Sequence, residues 1–160
     1  MRKKVLSVCC TFLLLLSMLL ISVNDTQAAS GNPILDGSYL THDEESIGYA
    51  TQLTKGVDLL ASYSKCVRLG PGKIYAGGTT IAAREVDYVK ISVLVERAKE
   101  QDTSWTFYAG WHKENPNADR VSSNRTLEVE GGYYYRVRCT HSANYDLSSS
   151  FTNGVYIEKP

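Results

Sequence analysis

Between Val89 and Glu96 the chain alternates with a period of two: Val89, Ile91, Val93 and Val95 fall on one side, and Lys90, Ser92 and Glu96 on the other. β-Branched residues at that spacing specify a strand with one buried face, and that face needs a partner layer. Leu94 interrupts the polar side, so the second face is expected to be half covered. After a short polar connection, Lys99 to Thr103, a second set alternates, with Trp105, Phe107, Ala109 and Trp111 opposite Thr106, Tyr108, Gly110 and His112. Two such runs across a short polar link predict an antiparallel hairpin. A third run follows Gly131 and Gly132, with Tyr133, Tyr135, Val137 and Cys139 on one side and Tyr134, Arg136, Arg138 and Thr140 on the other.

Shorter strands are expected over Ala61–Leu69, Lys73–Ala76, Arg125–Val129 and Gly154–Glu158, each bounded by Gly, Pro or Asn. Gly70-Pro71-Gly72 and Gly77-Gly78 read as hairpin turns. No stretch sustains helical periodicity. The expected fold is all-β: a single antiparallel β-sandwich, immunoglobulin- or fibronectin-like in general architecture, with a small β-barrel as the alternative. Leu127, a tight turn and then Tyr133 suggest a corner at which the Tyr133 hydroxyl bonds back to the backbone.

The N-terminal end reads as an export signal. Arg2, Lys3 and Lys4 precede an apolar stretch from Val5 to Val23, and a polar segment then leads to Ala28, Ala29 and Ser30. Small residues there suit cleavage after Ala28, or after Ala29 as a second choice. An uncleaved anchor is the alternative, since the apolar run approaches bilayer-spanning length. The expected organisation is a signal peptide over 1–28, an irregular polar arm, or else a pair of short segments laid on the domain, over 29–55 containing Asp43, Glu44 and Glu45, and a β-sandwich domain over 56–160. The product is expected to be secreted and extracellular, with no stable membrane association after cleavage.

Residues 1–28 hold three of the 17 basic residues and one of the 17 acidic ones, so the remainder carries a formal charge of −2. That balance argues against a nucleic-acid partner, which needs a basic face. About 130 residues is a single-domain length. Cys66 and Cys139 are the cysteines left after cleavage. In an oxidising compartment such a pair is expected to join, which in the chain-entropy model stabilises by about 4 kcal/mol. Two unpaired buried thiols are the alternative.

Asp36-Gly-Ser-Tyr-Leu-Thr41, Gly77-Gly-Thr-Thr-Ile-Ala82, Val86-Asp-Tyr-Val89, Ser104-Trp-Thr106 and Gly132-Tyr-Tyr-Tyr-Arg-Val-Arg-Cys-Thr-His141 together resemble a family of short secreted proteins of Gram-positive bacteria that is known as a domain of unknown function. The resemblance covers most of the mature chain and consists of strand and turn patterns. It implies secretion and a sandwich-like fold, and it transfers no site.

His42, His112 and His141 lie far apart, without the short spacing that places two ligands on one metal, so neither a metal nor another cofactor is expected. The acidic trio lacks the alternating ligands and glycine of a calcium loop and reads as a solvated turn. Glu114 and Asp119 are available carboxylates but sit in no glycosidase-like arrangement. There is no Gly-x-Ser-x-Gly elbow, and no helix follows the Gly-rich pieces to form a phosphate loop. Asn124-Arg125-Thr126 fits a glycosylation sequon, which matters only in a eukaryotic secretory pathway.

Eleven Tyr and two Trp are the distinctive content. Tyr offers large contact area with a polar tip, which suits binding surfaces, although it is also good strand material. Tyr108 with His112, and Tyr134 with Arg136 and Arg138, are the expected ligand-binding faces. The expected function is non-enzymatic binding of an extracellular ligand, whether a carbohydrate, a cell surface or a protein. The alternatives are a bacteriocin-like effector and a hydrolase with an unfamiliar site.

Overall fold

The computed structural model describes residues 33–50 and 56–159; the expected leader, with Cys9 and Cys10, lies outside them. The described residues hold nine strands and no helix: β1 (Ile34–Leu35), β2 (Ser38–Thr41), β3 (Glu45–Tyr49), β4 (Leu59–Gly70), β5 (Lys73–Ala98), β6 (Thr106–Glu128), β7 (Tyr133–Ala143), β8 (Asp146–Phe151) and β9 (Gly154–Ile157). β1 to β3 lie within the stretch expected to run as an irregular polar arm.

All nine strands join one sheet in the order β1-β2-β9-β7-β5-β4-β3, with β6 also on β5 and β8 also on β7. The sheet is mixed, because β2 pairs with β9 in parallel. It is curled into a half-barrel, so its course fits the barrel alternative better than two separate stacked sheets.

The curl starts in the long β5–β6 hairpin. Gly70-Pro71-Gly72 makes the β4–β5 turn as expected, with Gly72 at φ 67°, where proline sets the preceding φ and a side chain would be strained. β5 then runs for 26 residues beside the 23 of β6. Ile81 pairs with Arg120 and Val86 with Ala118, so four β5 residues stand against one of β6. Extra residues on one strand bend it and increase its twist. The first half of β5 therefore pairs with β4 and the second half with β7. The curl carries β4 over to β8, where Ser62 Oγ and Ser148 Oγ bond at 3.0 Å.

Gly77 and Gly78 lie inside β5 and are not a turn. A Cβ on Gly78 would come within 2.5 Å of the Tyr63 carbonyl and 2.8 Å of Cys139 Sγ. Glycine at this position permits close approach of the strands, not a reversal of the chain.

Val89, Ile91, Val93 and Val95 all face the concave side, 0 to 2% exposed, against Ile74, Ala76, Val121 and Val137. Fully burying each such side chain contributes about 1.5–3 kcal/mol. The convex face has a smaller apolar cluster of its own, in which Leu35 and Leu40 cover Ala98 and Tyr134 with Trp105 beside them.

The corner bond expected of Tyr133 is made by its neighbour on the same strand face. Tyr135, fully buried, donates its hydroxyl to the Glu130 carbonyl at 2.8 Å. Tyr133 instead lies under the Arg97 guanidinium, 4.5 Å from ring centre to Cζ.

Cys66 and Cys139 are free thiols, which corrects the expected bridge. Cys66 sits opposite Ala76 and turns its sulfur to the Tyr135 carbonyl at 3.6 Å. Cys139 sits opposite Val93, with its sulfur 3.9 Å from the Gly77 carbonyl. Burial pushes both thiols up to about 12, which removes the reactive thiolate. Native protein is therefore expected to resist a thiol reagent at neutral pH, and denatured, unreduced protein to label at both positions. Absence of label in the denatured sample would show that a disulfide exists.

Candidate functional site

Strand register fixes which side chains share the convex face. On β5, Ser92 stands between His112 of β6 and Thr140 of β7, and Thr140 stands beside Ser149 of β8. One row of polar residues thus crosses four strands. The next row runs Gly110, Leu94, Arg138, Phe151. Between these rows lies an open groove of about 510 Å³. Its floor is low because Ser92, Gly110, Thr140 and Ser149 are small, and its longer walls are His112, Leu94 and Arg138.

Two exposed aromatic rings bracket the second row. Phe107, 64% exposed, lies 3.4 Å from where a Gly110 Cβ would stand, and Phe151, 45% exposed, pairs with Arg138. From β6 to β8 is three strand spacings, about 14 Å. That span is long enough for an extended ligand that meets a ring at each end of the second row and the hydroxyl groups of the first row alongside.

The electrostatics of the groove depend on Glu96. This buried carboxylate accepts from Arg136 Nε at 2.8 Å, while Arg138 reaches its other oxygen only at 3.6 Å. The Arg138 side chain stays half exposed. In the next row beyond Ser92, Lys90 and Glu114 neutralise one another at 3.0 Å.

Of the residues expected to bind ligand, His112 and Arg138 are exposed and line this groove. The other three are placed elsewhere. Tyr108 does not share a face with His112, because Val95 pairs with Ala109 and Glu96 with Phe107, which leaves Tyr108 as the extra residue of a bulge. The bulge turns Tyr108 inward, where its ring meets Tyr135 edge-on at 5.4 Å and its hydroxyl donates to the Glu128 carbonyl. It also turns Phe107 out to solvent.

Tyr134 and Arg136 do lie on the convex face with Arg138, but β1 and β2 cover them. Tyr134 is 6% exposed and packs against the rings of His42 and Tyr156. Arg136 is 2% exposed and donates to Glu96, to Ser38 Oγ at 3.1 Å, and to the Asp36 carbonyl and carboxylate at 3.0 and 2.7 Å, with Trp105 stacked 4.6 Å away. The same guanidinium holds the Asp36 carboxyl below its ordinary value. These contacts make Arg136 an anchor for the N-terminal strands and remove it from any contact surface.

Sequence reasoning missed Ser92, Thr140 and Ser149 as groove residues. Only register across strands brings them together, and their individual signals are those of ordinary strand polar positions. A second hollow of about 270 Å³ lies by His42, Lys99, Glu100, Tyr134 and Tyr156. Among the described residues no group of three or more His, Cys, Asp or Glu side chains is placed to hold a metal. No family model matches the chain, and neither a curated protein nor a solved structure matches it.

Proposed function

We propose that the chain is a secreted domain that acts by binding an extracellular carbohydrate on its convex face, without catalysis. The observation that carries this reading is the shallow groove crossing four strands, with hydroxyl groups along it and exposed Phe107 and Phe151 at the two ends of the row that forms one wall. Sugars offer apolar ring faces for stacking and many hydroxyl groups for hydrogen bonding, and a rigid sheet presents both kinds of partner without loop ordering. The leader-like N-terminus and the resemblance to short secreted proteins of Gram-positive bacteria agree with an extracellular role.

Thr140 is exposed in the middle of the groove. Purified protein incubated with whole cell walls and with immobilised glycans is expected to be retained. Thr140→Trp, which fills the groove, is expected to lower retention at least about tenfold with the melting temperature unchanged. Retention unaffected by Thr140→Trp, or no retention of the unmodified protein on any wall or glycan, would count against the reading.

A further inference from the structure

We infer that the groove selects glycans bearing an anionic group, a carboxylate or a phosphate, and that Arg138 is the residue that holds it. This inference rests on the glycan-binding reading and adds the ligand's charge.

The side chains along the groove include no carboxylate, while His112, Ser92, Thr140 and Ser149 all offer hydrogen-bond donors. The two acidic groups near Arg138, Glu96 and Asp36, are both committed to Arg136. Glu96 forms its short bond with Arg136, and its 3.6 Å separation from Arg138 exceeds a hydrogen bond. Arg136 also takes the Asp36 carboxylate, at 2.7 Å, and Asp36 does not line the groove. Arg138 therefore presents a half-exposed guanidinium, a planar fork that matches a carboxylate or phosphate with two parallel bonds. Leu94 and Phe151 flank it, so an anion there sits beside apolar surface, where charge pairing is stronger than in open water. The Lys90–Glu114 pair cancels itself and leaves Arg138 as the dominant charge of the groove.

Two matched pairs of glycans test this: polygalacturonate against its fully methyl-esterified form, and phosphomannan against neutral mannan. Titration of the purified protein is expected to show at least one acidic member binding about tenfold or more tightly than its neutral counterpart, with the preference shrinking at high salt. Which acidic member binds separates carboxylate from phosphate recognition. Arg138→Gln is expected to abolish the preference and Arg138→Lys to keep part of it. Circular dichroism and melting of both variants are expected to match the unmodified protein, since Glu96 keeps Arg136. Equal binding of acidic and neutral members, or an Arg138→Gln variant that still prefers the acidic one, overturns the inference and leaves glycan binding standing. Binding to none of the four overturns the inference alone if whole walls still retain the protein, and both readings if they do not.

Discussion

Replacing Arg136 by Met is expected to lower the unfolding free energy by about 3–5 kcal/mol, the usual cost of removing one partner from a buried ion pair. The substitution keeps most of the side-chain volume but leaves the Glu96 carboxylate buried, with only the longer Arg138 contact. It also removes the Arg136 bonds to Ser38 Oγ and to both Asp36 acceptors, leaving β1 and β2 to ties such as Ser38 Oγ to the Thr152 carbonyl and Trp105 Nε1 to the Leu35 carbonyl. Urea unfolding of the variant measures the loss directly. The double variant Arg136→Met with Glu96→Gln is expected to recover part of it, because the remaining buried group is then neutral. A loss under about 1 kcal/mol for the single variant would mean that the ion pair contributes little beyond what packing supplies.

Acid is expected to destabilise the fold through one imidazole. His141 is fully buried between two hydroxyl groups, with Nδ1 2.9 Å from Thr80 Oγ1 and Nε2 2.8 Å from Ser150 Oγ. Thr80 donates its own proton to the Lys90 carbonyl, so the network assigns the imidazole proton to Nδ1 and makes Nε2 the acceptor from Ser150. Burial lowers the His141 pKa from 6.5 to about 4, and neither hydroxyl can offset a charge. The unfolded chain takes up a proton near pH 6.5 while the native state resists until about pH 4, so stability falls as pH is lowered through that window. The total is about 3 kcal/mol. Urea midpoints between pH 7 and 4 check this against His141→Gln, which is expected to be weaker at neutral pH but flatter across the window. Identical slopes in the two proteins would assign the acid sensitivity elsewhere. The lowered pKa values of Asp36 and Asp58 act in a separate range, because the stability they confer is lost only as pH falls below the ordinary carboxylate value of 3.8.

The strands with one wet and one dry face were legible. The alternation from Val89 to Val95 and from Tyr133 to Cys139 assigns the inward residues correctly, because burial on one side forces a period of two. The middle of β6, from Lys113 to Arg120, could not be read this way. Both of its faces are largely wet, so selection for apolar residues leaves no period there. Gly77-Gly78 looked like a turn because the same residue serves reversal and close approach, and only the proximity of Tyr63 and Cys139 distinguishes them. At the site, one unpaired residue decided the outcome. The bulge at Tyr108 exchanged the faces of Tyr108 and Phe107, a change that no local pattern records. The outward placement of His112 and Arg138 follows from their strand positions alone, whereas the cover over Tyr134 and Arg136 comes from residues about a hundred positions earlier.

The parallel pairing of β2 with β9 has a mechanical meaning. Before β2 the chain turns back through Asp36 and Gly37 into β1, and the Pro33 carbonyl accepts from the Leu40 N–H. Tension at the N-terminal end therefore peels β1 from β2 first, and Arg136, bonded to Asp36 and Ser38 at that turn, resists the peeling. Once β1 is stripped, the parallel pair with Leu40 beside Gly154 and Thr41 beside Val155 is pulled from opposite ends, so its bonds are sheared together instead of opened in sequence.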